Sequence, residues 1–279
     1  MTIPQVRCYR HADREAGVAC QRCERPICPD CMIQASVGFQ CPNCAGAGGQ
    51  RVIKPAARWS SGGQLQQPVA TIALIAINVV VFVLELSRPA GFNAELVGRF
   101  RDIGVAEGQW WRLITGGFLH AGTLHLAFNM FALWSVGSVM ERVLGPFRFA
   151  AAYLSCLLAG SFGALVVSPN AFTVGASGAV FGMFGLLLAF QLSRGIPLGQ
   201  TRIGMVLAIN LVFTFAVPGI SIGGHLGGLI GGVLVGFGLF GLPKSRREPP
   251  AVVGWALLAA IAVVSVVGGI AVASAAPPF

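Results

Sequence analysis

Charge is scarce in this 279-residue chain: Asp, Glu, Lys and Arg make up 10 % of it, against 55 % hydrophobic residues. A soluble domain carries about 25 % charged residues, so a water-soluble globular enzyme is excluded for most of the length. The same apolar content excludes disorder. Cysteine is nearly absent after residue 44, where only Cys156 occurs, although seven precede it. The first 44 residues lack an apolar h-region and do not read as a signal peptide, so this segment is expected to stay in the cytosol. Two solvents are implied, water for the start and lipid for the rest.

Seven apolar runs have membrane-crossing length, taken as roughly 17 to 25 residues for about 30 Å of hydrocarbon. They fall near Val69 to Leu86, Leu124 to Val143, Phe147 to Val167, Ser177 to Leu192, Ile203 to Val217, Ile220 to Phe240 and Val252 to Ala273. The fold class expected is an all-α polytopic membrane protein. Between the cysteine-rich start and the first span, residues 45–68 have the Gly, Ala, Ser, Gln and Pro content of a flexible linker, with Arg51, Lys54 and Arg58 close to the membrane.

Basic residues in loops set orientation. With the N-terminus inside, the inner loops hold Arg142 and Arg148, then Arg194 and Arg202, then Lys244, Arg246 and Arg247, while the outer loops after spans three and five hold none. The loop Pro89 to Ala121 disagrees, carrying Arg99, Arg101 and Arg112. It also carries Glu95, Asp102 and Glu107, and its Phe92, Phe100, Trp110 and Trp111 suit an ordered segment in the headgroup interface. The expected topology is N-in, C-out in a plasma membrane, and the compact loops without organelle targeting suggest a bacterial one.

The first 44 residues contain four ligand pairs at two-residue spacing: Cys8 with His11, Cys20 with Cys23, Cys28 with Cys31, and Cys41 with Cys44. Eight ligands make two tetrahedral zinc sites. Disulfides are the alternative, but cytosolic thiols stay reduced and His11 completes a pair that a disulfide framework would leave odd. Only four residues separate the second and third pairs, which makes it awkward for neighbours to share an ion. A cross-brace is expected, with Cys8, His11, Cys28 and Cys31 on one zinc and Cys20, Cys23, Cys41 and Cys44 on the other. By ligand spacing the module resembles a B-box-type zinc finger. So small a segment cannot build a sufficient core, so metal supplies its folding energy. With every ligand used, no coordination position is open for catalysis. Arg7, Arg10, Arg14, Arg22 and Arg25 would suit nucleic acid, but Asp13, Glu15, Glu24 and Asp30 offset most of that charge. The partner expected is a cytosolic protein and not a nucleic acid.

Ionisable groups within lipid are expensive and mark functional candidates. They are few here: His125 in span two, His225 in span six and Glu141 near the inner end of span two, with the polar Asn129 and with Ser177 opening span four. In the expected topology Ser177, His125, Asn129 and His225 all lie in the outer part of the bilayer. His125 and Asn129, four apart, share one helical face. These are parts for acyl transfer: a serine, a histidine to activate it and donors for an oxyanion. Ser177 sits in Gly175-Ala176-Ser177-Gly178, where its own N–H is an unpaired donor at a helix N-terminus. Gly224, Gly228 and Gly232 form a stripe on span six, matched by Gly178 and Gly182 on span four, which permits close packing of His225 beside Ser177. No carboxylate lies at this depth, so the arrangement is a dyad rather than a triad. Taken singly, a serine at a helix start is more often an N-cap, and glycine stripes usually mean packing alone. The conjunction at one depth is what favours an enzyme. Three histidines without a carboxylate, thiol or HExxH do not make a catalytic metal site.

In this combination and order the chain resembles the rhomboid family of intramembrane serine proteases over about residues 69–240. The resemblance rests on Trp111-Arg112, on His120 followed by His125 and Asn129, on Gly137, Glu141 and Gly145 at intervals of four, on Gly175-Ala176-Ser177-Gly178, and on His225 with Gly228 and Gly232. It implies that Ser177 is the nucleophile and His225 the general base, with His125 and Asn129 helping the Ser177 amide hold the oxyanion. The domains expected are then a double-zinc module at 1–44, a linker at 45–68, a six-span core at 69–240, and an inner loop, seventh span and tail at 241–279. The core reaction does not need that seventh span. Phe181 stands where many relatives have Tyr, so ring contact alone would orient the imidazole. The substrates implied are transmembrane proteins cut near the outer interface. A catalytically silent relative that escorts membrane helices is the rival, and intact Ser177 and His225 argue against it. A transporter would need paired carboxylates at the midplane, and none is found.

Overall fold

The computed structural model describes residues 6–35, 38–47, 67–87, 104–197, 201–243 and 249–275. The linker residues Arg51, Lys54 and Arg58, the loop residues Phe92, Glu95, Arg99, Phe100, Arg101 and Asp102, and the inner-loop Lys244, Arg246 and Arg247 lie outside the described residues. The chain divides into two compact units, Met1–Leu65 and Gln66–Phe279.

The first unit holds two antiparallel hairpins, β1 (Val18–Ala19) with β2 (Pro26–Ile27) and β3 (Ile33–Gln34) with β4 (Phe39–Gln40), then a short helix at Pro42–Ala47. Two-residue strands bury almost no apolar surface. The interior is instead made of Cys8, Cys20, Cys28, Cys31 and Cys41 around the fully enclosed Ile27.

Among the described residues the second unit has seven apolar helices: α1 (Val69–Leu86), α2 (Thr123–Leu144), α3 (Pro146–Val167), α4 (Ser177–Ser193), α5 (Arg202–Ala216), α6 (Ile222–Phe240) and α7 (Ala251–Ala275). Every boundary lies within two residues of the sequence expectation. Five of the helices, α1, α2, α3, α6 and α7, are long and apolar enough to cross a membrane, while α4 and α5 are shorter. Only 22 % of the apolar stretch of α1, and the same of α7, is buried within the chain; the rest of these helices presents side chains such as Val80, Val83, Val263 and Val267 outward. Helix α4 is the opposite case, buried on nearly every face from Gly178 to Ala189.

Helix α6 is held between α3 and α4, and its paired glycines explain how. Cβ atoms added at Gly228 or Gly232 would run into the Gly178 and Gly182 carbonyls of α4, whereas Cβ atoms at Gly223 or Gly227 would run into the Gly163 and Ala159 carbonyls of α3. The Gly-Gly repeat is therefore two adjacent stripes, each letting one neighbour approach to backbone contact. The sequence reading recognised only the stripe facing α4.

Glu141 belongs to the scaffold. Its carboxylate accepts from the Ala70 N–H at 2.8 Å, the Thr71 N–H at 2.7 Å and the Thr71 hydroxyl at 2.7 Å. It thus caps the first turn of α1, whose N–H groups have no partner within the helix. Its polarity inside the bundle is paid for by three bonds. A π-helical turn at Leu133–Gly137 interrupts α2 between Asn129 and Glu141.

In the described part of the first loop, the short 3-10 turn Val105–Glu107 and the helical turn Arg112–Thr115 are ordered. Val105 and Leu113 are fully buried with Leu158 and Leu165 of α3 and Ala273 of α7. Trp110 and Trp111 stay about half exposed, as the interfacial reading expects.

Removing the carboxylate in Glu141→Ala leaves the buried Thr71 N–H and hydroxyl and the half-buried Ala70 N–H without their partner, and a loss of about 3 kcal/mol is expected. Thermal unfolding in detergent should show a clear drop for Glu141→Ala and a smaller one for Thr71→Val, which deletes a single bond. Equal melting of wild type and Glu141→Ala would remove the capping role.

Candidate active site and metal centres

Ser177 is the first residue of α4, and the N-cap position before it is Ala176, with no side-chain capping bond. Ser221 at the start of α6 does cap, accepting from the Gly224 N–H at 3.1 Å. The commonest reason for a serine at a helix start thus applies to Ser221 and not to Ser177. Gly175 holds the approach to the helix: its φ of +117° disfavours other residues, and a Cβ there would lie 2.6 Å from His125 Cε1 and 2.8 Å from His125 Nε2. Its N–H donates to the Gly116 carbonyl at 3.0 Å, which ties the Gly175–Ser177 turn to the first loop.

The His125 ring therefore lies against Gly175, and Asn129 Nδ2 stands just beyond, 3.8 Å from the same added Cβ. His125 Nδ1 accepts from the Ala121 N–H at 3.4 Å, so a neutral ring carries its proton on Nε2, the nitrogen facing the turn. Asn129 spends one N–H on the His125 carbonyl at 3.0 Å and retains a second. Both residues are thus donors on the Ser177 side of α2. His120 packs edge-on to His125, with ring centroids 5.2 Å apart. Burial and the adjacent His125 push His120 down to about 4, keeping it neutral at physiological pH.

His225 is buried in the first turns of α6, and Phe181 of α4 stacks on its ring at 4.0 Å with an interplanar angle of 16°. Gly178 and Gly224, the chain neighbours of Ser177 and His225, face each other: a Cβ on Gly178 would sit 3.4 Å from the Gly224 carbonyl oxygen. Among the described residues no hydrogen bond joins Ser177 Oγ to His225 Nε2. Such bonds are commonly long until substrate is bound. A cavity of about 20 Å³ touches Ser177 and is lined also by Arg112, Gly116, Ser161, Ser221 and Gly224. That is room for one water molecule.

Sequence reasoning missed Thr214. Its hydroxyl lies 2.7 Å from His225 Nδ1, so the imidazole has a hydrogen-bond partner besides the ring contact expected to orient it. The available signal was Asn210 and Thr214, polar residues four apart on one face of an otherwise apolar span.

In the first unit the ligand atoms of Cys8, His11, Cys28 and Cys31 all lie within 4.8 Å of one another, as do those of Cys20, Cys23, Cys41 and Cys44. His11 Nδ1 is 3.9 Å from Cys8 Sγ, 3.3 Å from Cys28 Sγ and 3.4 Å from Cys31 Sγ, and Cys23 Sγ is 3.7 Å from Cys41 Sγ. A tetrahedral ion with metal–sulfur bonds of about 2.3 Å holds its ligand atoms roughly 3.5 to 3.8 Å apart, so both sets fit one. Cys41 N–H donates to Cys20 Sγ at 3.2 Å, the kind of bond that steadies a thiolate. The chain can hold two metal ions here.

A helical membrane bundle with a serine at one helix start, a buried histidine on the touching helix and two donors on a third defines a class of protein, and comparison with known proteins identifies the family. Residues 107–242 match the Rhomboid domain. Rhomboid protease GluP of Bacillus subtilis is 40 % identical over 203 residues, covering 71 % of this chain and 40 % of that protein. YdcA, from the same organism and also named as a rhomboid protease, is 41 % identical over 150 residues, covering 52 % of this chain and 75 % of its own length. Rhomboid-type serine protease 2 of Emericella nidulans is 34 % identical over 149 residues, with 51 % and 29 % covered. The chain belongs to the rhomboid family. It spans less than half the length of GluP and of the Emericella protein.

The α4–α6 contact predicts that Gly228→Ala, which sets a methyl group against the Gly178 carbonyl, costs about 2 kcal/mol. Differential scanning fluorimetry of the purified protein should register a lower melting temperature. An unchanged one would mean that the two helices have room to spare.

Proposed function

We propose that this protein is an intramembrane serine endopeptidase that cuts transmembrane proteins near the outer face of the membrane. The observation that supports the reading is the backbone contact of α4 with α6 at Gly178 and Gly228, next to Ser177 on one helix and one turn from His225 on the other, with Ser177 not serving as an N-cap. In the proposed reaction Ser177 Oγ attacks the scissile carbonyl carbon and its proton passes to His225 Nε2. The oxyanion formed is met by the Ser177 N–H, His125 Nε2–H and the remaining Asn129 N–H. Collapse breaks the C–N bond, and the His225 proton goes to the leaving amine. Water then gives a proton to His225, adds to the acyl carbon and releases Ser177 as its proton returns.

A helical substrate hides its carbonyls in i to i−4 bonds, so it must unwind where it is cut. Substrates with Gly, Pro or Ser near the outer end of their span are favoured, since loosened backbone at membrane depth must meet water or protein. The reading keeps the N-in, C-out topology of a bacterial plasma membrane, with residues 69–240 as the protease core, 45–68 as linker and 241–279 as accessory inner loop, seventh span and tail. Residues 1–44 bind two structural zinc ions and present a surface to a cytosolic protein, with no nucleic-acid partner.

A fluorophosphonate should label the wild type, and Ser177→Ala should not be labelled at all. His225→Ala should label at least a thousandfold more slowly, the scale on which a serine nucleophile loses its base. Equal labelling of all three would leave the silent helix-binding relative as the reading. Metal analysis of the full chain should give two zinc ions, and Cys31→Ser or Cys44→Ser should each lose one. A single shared loss, or another metal, would overturn the cross-braced zinc module.

A further inference from the structure

We propose that Thr214 is a positioning residue that fixes which nitrogen of His225 acts as the base. The proposal rests on the reading of Ser177 and His225 given above. Thr214 Oγ1 makes two short contacts, 2.8 Å to the Asn210 carbonyl one turn earlier and 2.7 Å to His225 Nδ1. A hydroxyl has one proton to give. A carbonyl can only accept, so that proton goes to Asn210, and towards His225 the Thr214 oxygen can only accept. Nδ1 must therefore carry hydrogen, and in the neutral ring Nε2 is left with its lone pair. That is the nitrogen a base needs to take the Ser177 proton, and after transfer the Nδ1–H bond to Thr214 persists in the imidazolium.

His125 is set the other way round, with Nδ1 accepting from Ala121 and the proton on Nε2. The two rings thus carry opposite tautomers, one suited to donating and one to accepting. Each is imposed by the partner at the far nitrogen.

Thr214 is 1 % exposed, and no other described side chain of α5 is buried. The one enclosed side chain on α5 is the one bonded to the histidine.

The test uses the full chain in detergent and in bilayers. Thr214→Val keeps the shape and removes the acceptor, while Thr214→Ser keeps it. The rate of fluorophosphonate labelling at Ser177 should fall by about tenfold or more in Thr214→Val, the loss of one oriented bond at a reacting group, and return to within about twofold in Thr214→Ser. Melting temperatures should stay within a few degrees. A wild-type rate in Thr214→Val, or equal slowing in both variants, would overturn the proposal. Nitrogen-15 spectra of histidine-labelled wild type, with His225→Ala to assign the signal, provide a readout that does not depend on the variants folding. A protonated Nδ1 and bare Nε2 are expected, and the reverse tautomer would overturn the proposal. Failure of the wild type to label at Ser177 would instead count against the protease reading, and the spectra would still report the tautomer.

Discussion

The contact of α4 with α6, backbone against backbone, is the constraint on which the rest of the site depends. Lipid tails are as apolar as leucine, so helices in a membrane gain little from hiding apolar side chains and associate through close packing. Here the packing is carried to the limit where Gly178 and Gly182 carbonyls stand where the Cβ atoms of Gly228 and Gly232 would be. The same helix meets α3 through Gly223 and Gly227. With both flanks fixed, α6 has little freedom to rotate, and His225 keeps its bearing towards the first turn of α4. Phe181, one turn after Ser177, closes the face of the imidazole from the same side.

Around that fixed pair the polar groups are arranged by bonds from outside the site. Gly175 is suspended from the Gly116 carbonyl, and the loop carrying Gly116 is in turn anchored by Leu113 under α3 and α7 and by Ser161 Oγ, which donates to the Leu113 carbonyl at 2.7 Å. The seventh helix, outside the six-span core, thus packs against the segment that holds the Ser177 turn. Ala121 sets the protonation of His125, and Thr214 that of His225. The sequence reading expected no carboxylate at this level, but Glu85 of α1 accepts from the His120 N–H at 3.3 Å behind the His120–His125 ring pair, while the partners of His125 and His225 themselves are neutral.

What could be read from the sequence was what repeats locally. Apolar runs bounded by Pro, Gly and charge gave helix ends to within two residues. The spacing of Cys8, His11, Cys28 and Cys31 against Cys20, Cys23, Cys41 and Cys44 anticipated the two groups that the structure gathers. Ser177, His125, Asn129 and His225 drew notice because polar groups are rare in the apolar runs and each of these lies in the first two turns of its helix. Features that join residues distant in sequence were not legible. Glu141 looked like a functional carboxylate until its partners at Ala70 and Thr71 were seen some seventy residues away. Thr214 read as a residue of an apolar span because a threonine can satisfy itself on its own helix, and nothing local says that it also meets a histidine. The second glycine stripe was hidden by the first, since a Gly-Gly pair read as a single small surface conceals that its members face different helices.

The two units solve the same problem in opposite solvents. A module of two-residue strands has too little apolar surface to fold by burial, and the gathered thiolates and imidazole of residues 8–44 repel or desolvate one another unless a cation stands between them. Two ions held by these ligand sets would supply what burial does not. The helical unit has apolar surface in excess, and its order comes from shape: glycines where backbones touch, one carboxylate where α1 needs a cap, and one hydroxyl where α5 meets His225.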